Sequence, residues 1–343
     1  MDWQPSSKLA ENHLILSELA LVVPTRNNQR DIQAHLGSLE ALRLQGAELV
    51  FVDSESSDGT AEAIRSFQSR FGGQFINQPP GLYAAWNAGV QAASRKWISF
   101  ATVGDRQFVE GFQHLLEVAC TDAVDAVLSP PLMRSGTKPI SDEWPIHQLT
   151  RLQPAPRWWT QEESTRWLCG CLPGTVLGSA ASNLYRRDFL LAHPFPTHFG
   201  HEGDVAWGIE IADHIRLAIT PRSCAEFQVH ERSNPLGARE QAERFNQLVQ
   251  LATNRLEKKP LIKAELELRW AREKMFWKWI LELEKAAETT VEQSRYIQFL
   301  EHENQTLRQE RDTLSKKSFG LPIPYLSRGN LLAVRRFLKR FLS

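Results

Sequence analysis

Two apolar runs, each ending abruptly in a polar loop, constrain this chain more than any other feature. Leu19-Ala-Leu-Val-Val23 leads into the turn Pro24-Thr25-Arg26-Asn27-Asn28, and Glu48-Leu-Val-Phe-Val52 leads into Asp53-Ser-Glu-Ser-Ser-Asp58-Gly59-Thr60. An amphipathic helical segment separates them. This strand, helix, strand spacing fits a right-handed parallel crossover. Ligands of open parallel sheets bind beyond the carboxyl ends of strands, so both polar loops are expected at a binding site.

A third block follows. Gly81-Leu-Tyr-Ala-Ala85-Trp86-Asn87-Ala88-Gly89 reads as a helix, and Trp97-Ile-Ser-Phe-Ala-Thr-Val-Gly104-Asp105 reads as a strand running to a carboxylate. In order and spacing the blocks resemble the inverting family-2 glycosyltransferases of the GT-A fold. Their pattern is an apolar strand with Pro-Thr-x-Asn, a second with Asp-Asp-x-Ser-x-Asp-Gly-Thr, a Gly-x-x-x-Ala-x-Asn-x-Gly helix, and an acidic metal motif. Here Ser54 stands where a second Asp is common, and Thr102 and Gly104 fill positions that are usually acidic. The resemblance covers roughly the first two thirds of the chain. It implies an α/β fold with a GT-A-like, doubly wound, mostly parallel sheet, and leaves a C-terminal helical extension unexplained.

The resemblance also implies a chemistry: a sugar moves with inversion from a nucleoside diphosphate sugar to a glycan or lipid-linked glycan acceptor, as in bacterial surface polysaccharide synthesis. Pro24, Thr25, Arg26 and Asp53 would hold the nucleoside, Asn87 would lie near the diphosphate, and Arg106 would lend it positive charge. Helix capping is the competing role for Asp53 and the favoured one for Asp58. The leaving diphosphate needs a cation, and hard Mg or Mn ions prefer carboxylate oxygens, so Asp105 is the expected metal ligand with His230 beside it. In-line displacement needs a base for the acceptor hydroxyl. Asp204, in Phe199-Gly-His-Glu202-Gly203-Asp204-Val-Ala-Trp207, occupies the family's position for it, with Glu202 as second candidate and a helix cap as the structural alternative. Trp158, Trp159 and Trp167 could stack on an acceptor sugar or pack in the core. Thr102 and Gly104 keep a second function open, a catalytically inactive glycan-binding or scaffold protein.

Composition sets the organisation. We divide the 343 residues into a lead-in (1–17), a transferase domain (18–236), a helical arm (237–314) and a basic amphipathic tail (315–343). With 40 Lys plus Arg against 40 Asp plus Glu, net charge points to no nucleic-acid partner. The four Cys lack metal-site spacing and are expected to be reduced and mostly buried, as in a cytosolic chain. The start of the chain lacks the basic and apolar regions of a signal peptide, and no run reaches the ~18 apolar residues of a spanning helix. Residues 130–178, crowded with Pro and Trp, are expected to be irregular apart from a short helix at 160–167.

No Gly falls between Gly237 and Gly320. Within that arm Ile297, Leu300, Asn304, Leu307, Arg311 and Leu314 form a short heptad-like stripe, open between homo-oligomerisation and packing on the chain's own domain. The tail carries seven cations and no acid, with Leu331, Val334, Leu338 and Phe341 beside Arg335, Arg336, Lys339 and Arg340. Such a helix suits an anionic membrane surface, a protein partner being the alternative. The expected location is the cytoplasm, with peripheral attachment to the inner face of the plasma membrane.

Overall fold

A strand that is apolar along its whole length is at home in the middle of a parallel sheet, where helices cover both faces. In the computed structural model β1 (Leu19–Thr25) is buried at every position. The structure describes residues 15–121, 123–140, 144–151, 153–229 and 237–287, together with residue 302. The chain divides into two units, one within residues 1–168 and 176–230, the other within 169–175 and 231–343.

In the first unit β1 is followed by α1 (Ile32–Leu44), β2 (Glu48–Asp53), α2 (Thr60–Phe71), β3 (Gln74–Asn77), α3 (Leu82–Ala92) and β4 (Trp97–Phe100). The strands run parallel in the order β3-β2-β1-β4. Helix α1 turns Ile32, Leu36, Leu39 and Leu42 inward, the spacing of one helical face, and Gly46 at a φ of 99° follows its end. Helix α3 lies so close to β1 that a Cβ on Gly89 would sit 2.2 Å from Val22 Cγ1.

The chain continues through β5 (Arg106–Gln107), α4 (Val109–Thr121), β6 (Ala126–Leu128), β7 (Leu132–Ser135), β8 (Lys138–Pro139), α5 (Pro145–Arg151), β9 (Arg157–Trp158) and α6 (Gln161–Gly170). It then forms β10 (Asn183–Arg186), α7 (Arg187–Ala192), α8 (Gly203–Ile211), β11 (Leu217–Ile219) and β12 (Ala225–Gln228). The large sheet extends past β4 as β10-β6-β11-β9, with β10 and β9 antiparallel to their neighbours and β11 parallel to β6. A second sheet has the order β5-β12-β7-β8. The mostly parallel α/β sheet is thus present. Residues 130–178 are more regular than their Pro content suggests, because Pro145 opens α5 at a position that needs no N–H donor, while β7, β8 and β9 pair with other strands. Trp159 is buried and stacks on Trp167 at 5.9 Å, and Trp144 meets the edge of Phe227 at 4.8 Å.

The second unit carries α9 (Ala238–Arg255) and α10 (Pro260–Ala287). Helix α9 buries Ala242, Phe245, Leu248, Val249 and Ala252, and α10 buries Ile262, Leu266, Trp270, Trp277, Ile280 and Leu283. Trp270 Nε1 donates to the Cys169 carbonyl at 3.2 Å. Glu273 shares the buried face of α10, and burial pushes its carboxyl up to about 7. The stripe at 297–314 and the tail at 315–343 lie outside the described residues. Among the described residues, no helix is long and apolar enough to cross a membrane. All four cysteines are free, with Cys120 exposed and the other three buried.

Candidate active site

The carboxyl ends of β1 and β2 are tied to each other by side chains. Asp53, 1% exposed, accepts from Thr25 Oγ1 at 2.8 Å and Ser56 Oγ at 2.6 Å on Oδ1, and from Ser56 N at 2.9 Å on Oδ2. Three of its four lone-pair directions are therefore committed to holding the two loops together. The loops interlock further: Asn27, in the left-handed region at a φ of 52°, donates from its N–H to Ser56 Oγ and accepts from Ser57 N–H on Oδ1. Asp58 accepts from Thr60 N and Oγ1 and from Gln29 N, and these bonds hold its carboxyl below the usual range. Gly59 is the N-cap of α2; Asp58, one residue earlier, bonds the first helical residue Thr60 and clamps the β1–α1 loop. Pro24 and Thr25 are buried, and Arg26 projects into solvent.

A second corner forms beyond β4. Asp105 is 4% exposed, accepts from Gln228 N at 3.1 Å, and is pushed up to about 7 by burial. Beneath it the His35 ring lies between the Asp105 and Ala101 carbonyls, Nδ1 at 3.1 Å from the first and Nε2 at 3.2 Å from the second; burial lowers its pKa to about 4, so the neutral ring donates its single N–H to one of them. His35 was not singled out in the sequence; its only signal is a polar residue at an inward position of α1. Arg106 is exposed, with its guanidinium over the Phe108 ring at 5.8 Å. His230 lies outside the described residues, and among those described no group of three His, Cys, Asp or Glu is arranged for a metal ion. A desolvated carboxylate without a facing cation still fits Mg or Mn arriving with a diphosphate, since such ions are held by one or two carboxylates plus phosphate oxygens.

A third corner joins α3 to the start of α8. Asp204, partly buried, accepts on Oδ1 from Tyr83 Oη at 3.0 Å and from Val205 N at 2.9 Å. Its Oδ2 takes no protein hydrogen bond among the described residues. Burial raises the Asp204 carboxyl above its ordinary range, the Tyr83 bond opposes that rise, and the nearby Glu202 charge adds to it. Burial likewise raises the Tyr83 hydroxyl, which stays a donor and also reaches the His201 carbonyl at 3.0 Å. Gly203 permits this approach, because a Cβ there would lie 2.4 Å from the Tyr83 ring. Glu202 sits in the single 3-10 turn Gly200–Glu202 before α8. Asn87 exchanges two bonds with the Phe195 backbone, at 2.8 and 2.9 Å, a peptide-like pair that occupies its amide. The structure thus pairs Thr25 with Asp53, surrounds Asp105 with His35 and Gln228, and sets Asp204 on Tyr83; no hydrogen bond links these three corners among the described residues.

A mostly parallel sheet with polar loops at the ends of β1, β2 and β4 is the architecture of the GT-A fold. S. aureus TarS (residues 1–349), solved with UDP-GlcNAc, superposes at a TM-score of 0.54 with 16% identity, over 76% of this chain and 72% of that one. A mannosyltransferase from Pyrobaculum calidifontis, solved with GDP-Man and Mn2+, gives 0.52 with 18% identity over 83% and 79%. Residues 20–187 match the model described as Glycosyl transferase family 2. The uncharacterized glycosyltransferase YibD of Escherichia coli (strain K12) is 21% identical over 225 residues, which span 63% of each chain.

Proposed function

We propose that this glycosyltransferase transfers a sugar with inversion from a nucleoside diphosphate sugar to the hydroxyl of a glycan or lipid-linked glycan, in assembly of a bacterial surface polysaccharide. The observation that carries this reading is the Asp204–Tyr83 pair, a carboxylate anchored through one oxygen and, among the described residues, open at the other. Asp204 Oδ2 takes the proton of the acceptor hydroxyl as that oxygen bonds to the anomeric carbon, and the bond from that carbon to the diphosphate breaks. A single displacement of this kind inverts the centre. Tyr83 and Gly203 position Asp204, and Glu202 is the alternative base.

The interlocked loops of β1 and β2 hold the nucleoside through Thr25, Arg26, Asp53 and backbone groups near Pro24, with Arg106 supplying positive charge to the phosphates. Asn87 positions α3. Asp105, with His230, would hold Mg or Mn; when bound, the ion supplies charge neutralisation for the leaving diphosphate. The UDP and GDP sugars of the two structural neighbours support a nucleotide-sugar donor and leave the base open. We also infer that the basic tail docks on the anionic inner face of a membrane, which would bring the site to a lipid-linked acceptor.

The test is a turnover screen of nucleotide sugars with Mg or Mn. A donor hydrolysed or transferred in the presence of metal, and lost in Asp105→Asn with unfolding temperature unchanged, is the expected result. Turnover that Asp105→Asn leaves intact would remove Asp105 from the metal site, and no turnover of any donor would favour a binding protein.

A further inference from the structure

Helix α10 has two apolar faces. One, Ile262, Leu266, Trp270, Trp277 and Ile280, is buried within the second unit. On the opposite side of the helix Leu261, Ala264, Leu268, Ala271 and Met275 recur at spacings of three and four, the a and d positions of a coiled coil. Leu261, Leu268 and Met275 on this face are 84%, 78% and 67% exposed. They are three of the seven large apolar side chains exposed among the described residues. A stripe of this kind marks an interaction surface.

We propose that this face pairs with the same face of a second copy of the chain, antiparallel and about a two-fold axis. The flanking charges argue for that occupant. When Leu268 packs on the partner's Ala271, Ala264 meets the partner's Met275 and Leu261 meets the aliphatic stem of the partner's Lys278. That register sets Glu267 opposite the partner's Lys274 and Glu265 opposite the partner's Arg272, and the two-fold axis repeats each pair. Four opposite-charge contacts then flank the seam, and every large residue faces a small or flexible one. Parallel pairing would stack Leu on Leu and Ala on Ala, and would place Lys274 against the partner's Trp279. Of the four charged residues, Glu265 also bonds Arg269 of its own helix at 3.4 Å, so the Glu267 and Lys274 pair is the cleaner probe. The inference is independent of the catalytic reading, since it uses no residue of the proposed site.

Sedimentation velocity of the full chain over about 1 to 100 µM tests it, because a self-pairing face gives a concentration-dependent equilibrium. The expected result is a reversible monomer and dimer. Leu268→Glu should be monomeric throughout with its unfolding temperature at low concentration unchanged, as befits an exposed position. Glu267→Lys should weaken association about tenfold, and the double swap Glu267→Lys with Lys274→Glu should restore it, since the two positions face each other only in the antiparallel register. A chain monomeric at every concentration, or a dimer indifferent to Leu268→Glu, overturns the proposal. Loss of monomer stability in Leu268→Glu does so too, by showing that the chain's own segment covers this face. Failure of the double swap to restore association overturns the antiparallel arrangement.

Discussion

Asp204 combines two properties that a general base needs and a helix cap does not: burial that raises its affinity for a proton, and an oxygen free of protein hydrogen bonds among the described residues. The base works deprotonated, so its raised pKa moves the acid limb of kcat/KM above the range of an ordinary Asp, and activity grows as pH rises through that limb. The Tyr83 hydroxyl donates to the charged form and so holds the pKa down. Tyr83→Phe is therefore expected to shift the limb to still higher pH, with the largest loss of rate on the acid side. A pH profile of kcat/KM checks this, and an unshifted limb would separate Tyr83 from the base.

At the scale of elements, α3 carries Tyr83 and Asn87 and packs over β1 and β2, and its distance from β1 is set by Gly89. Gly89→Ala would drive a methyl group into Val22 and is expected to cost about 1–3 kcal/mol, visible as a lower unfolding temperature. An unchanged temperature would show that α3 moves freely. The apolar run Leu19–Val23 and the helical face of α1 were legible from periodicity alone, because burial imposes it. Asp53 and Asp204 were legible as residue types at a strand end and a helix start, whereas Asp105, read as the end of a strand over 97–105, lies in a loop because β4 stops at Phe100. Their partners were not: Tyr83 meets Asp204 across 121 positions of sequence and Asn87 meets Phe195 across 108, contacts that only folding brings about. The same holds for β7 and β9 within residues 130–178, which pair with β12 and β11 far along the sequence.

For the whole molecule, a transferase unit, a helical unit and a tail rich in cations would divide chemistry from location. Removing residues 329–343 is expected to leave turnover of a soluble acceptor unchanged and to release the protein from anionic vesicles, and full-length binding should weaken with added salt. Equal sedimentation of both forms with vesicles would assign the tail to another partner. The central claim, that Asp204 is the base of a glycosyl transfer, is tested most directly by comparing kcat of Asp204→Asn and Glu202→Gln with wild type on one donor and acceptor. The account predicts a loss of roughly 100-fold or more for Asp204→Asn with donor affinity little changed, and a small effect for Glu202→Gln. A large loss in Glu202→Gln beside a nearly active Asp204→Asn would contradict it and pass the role to Glu202.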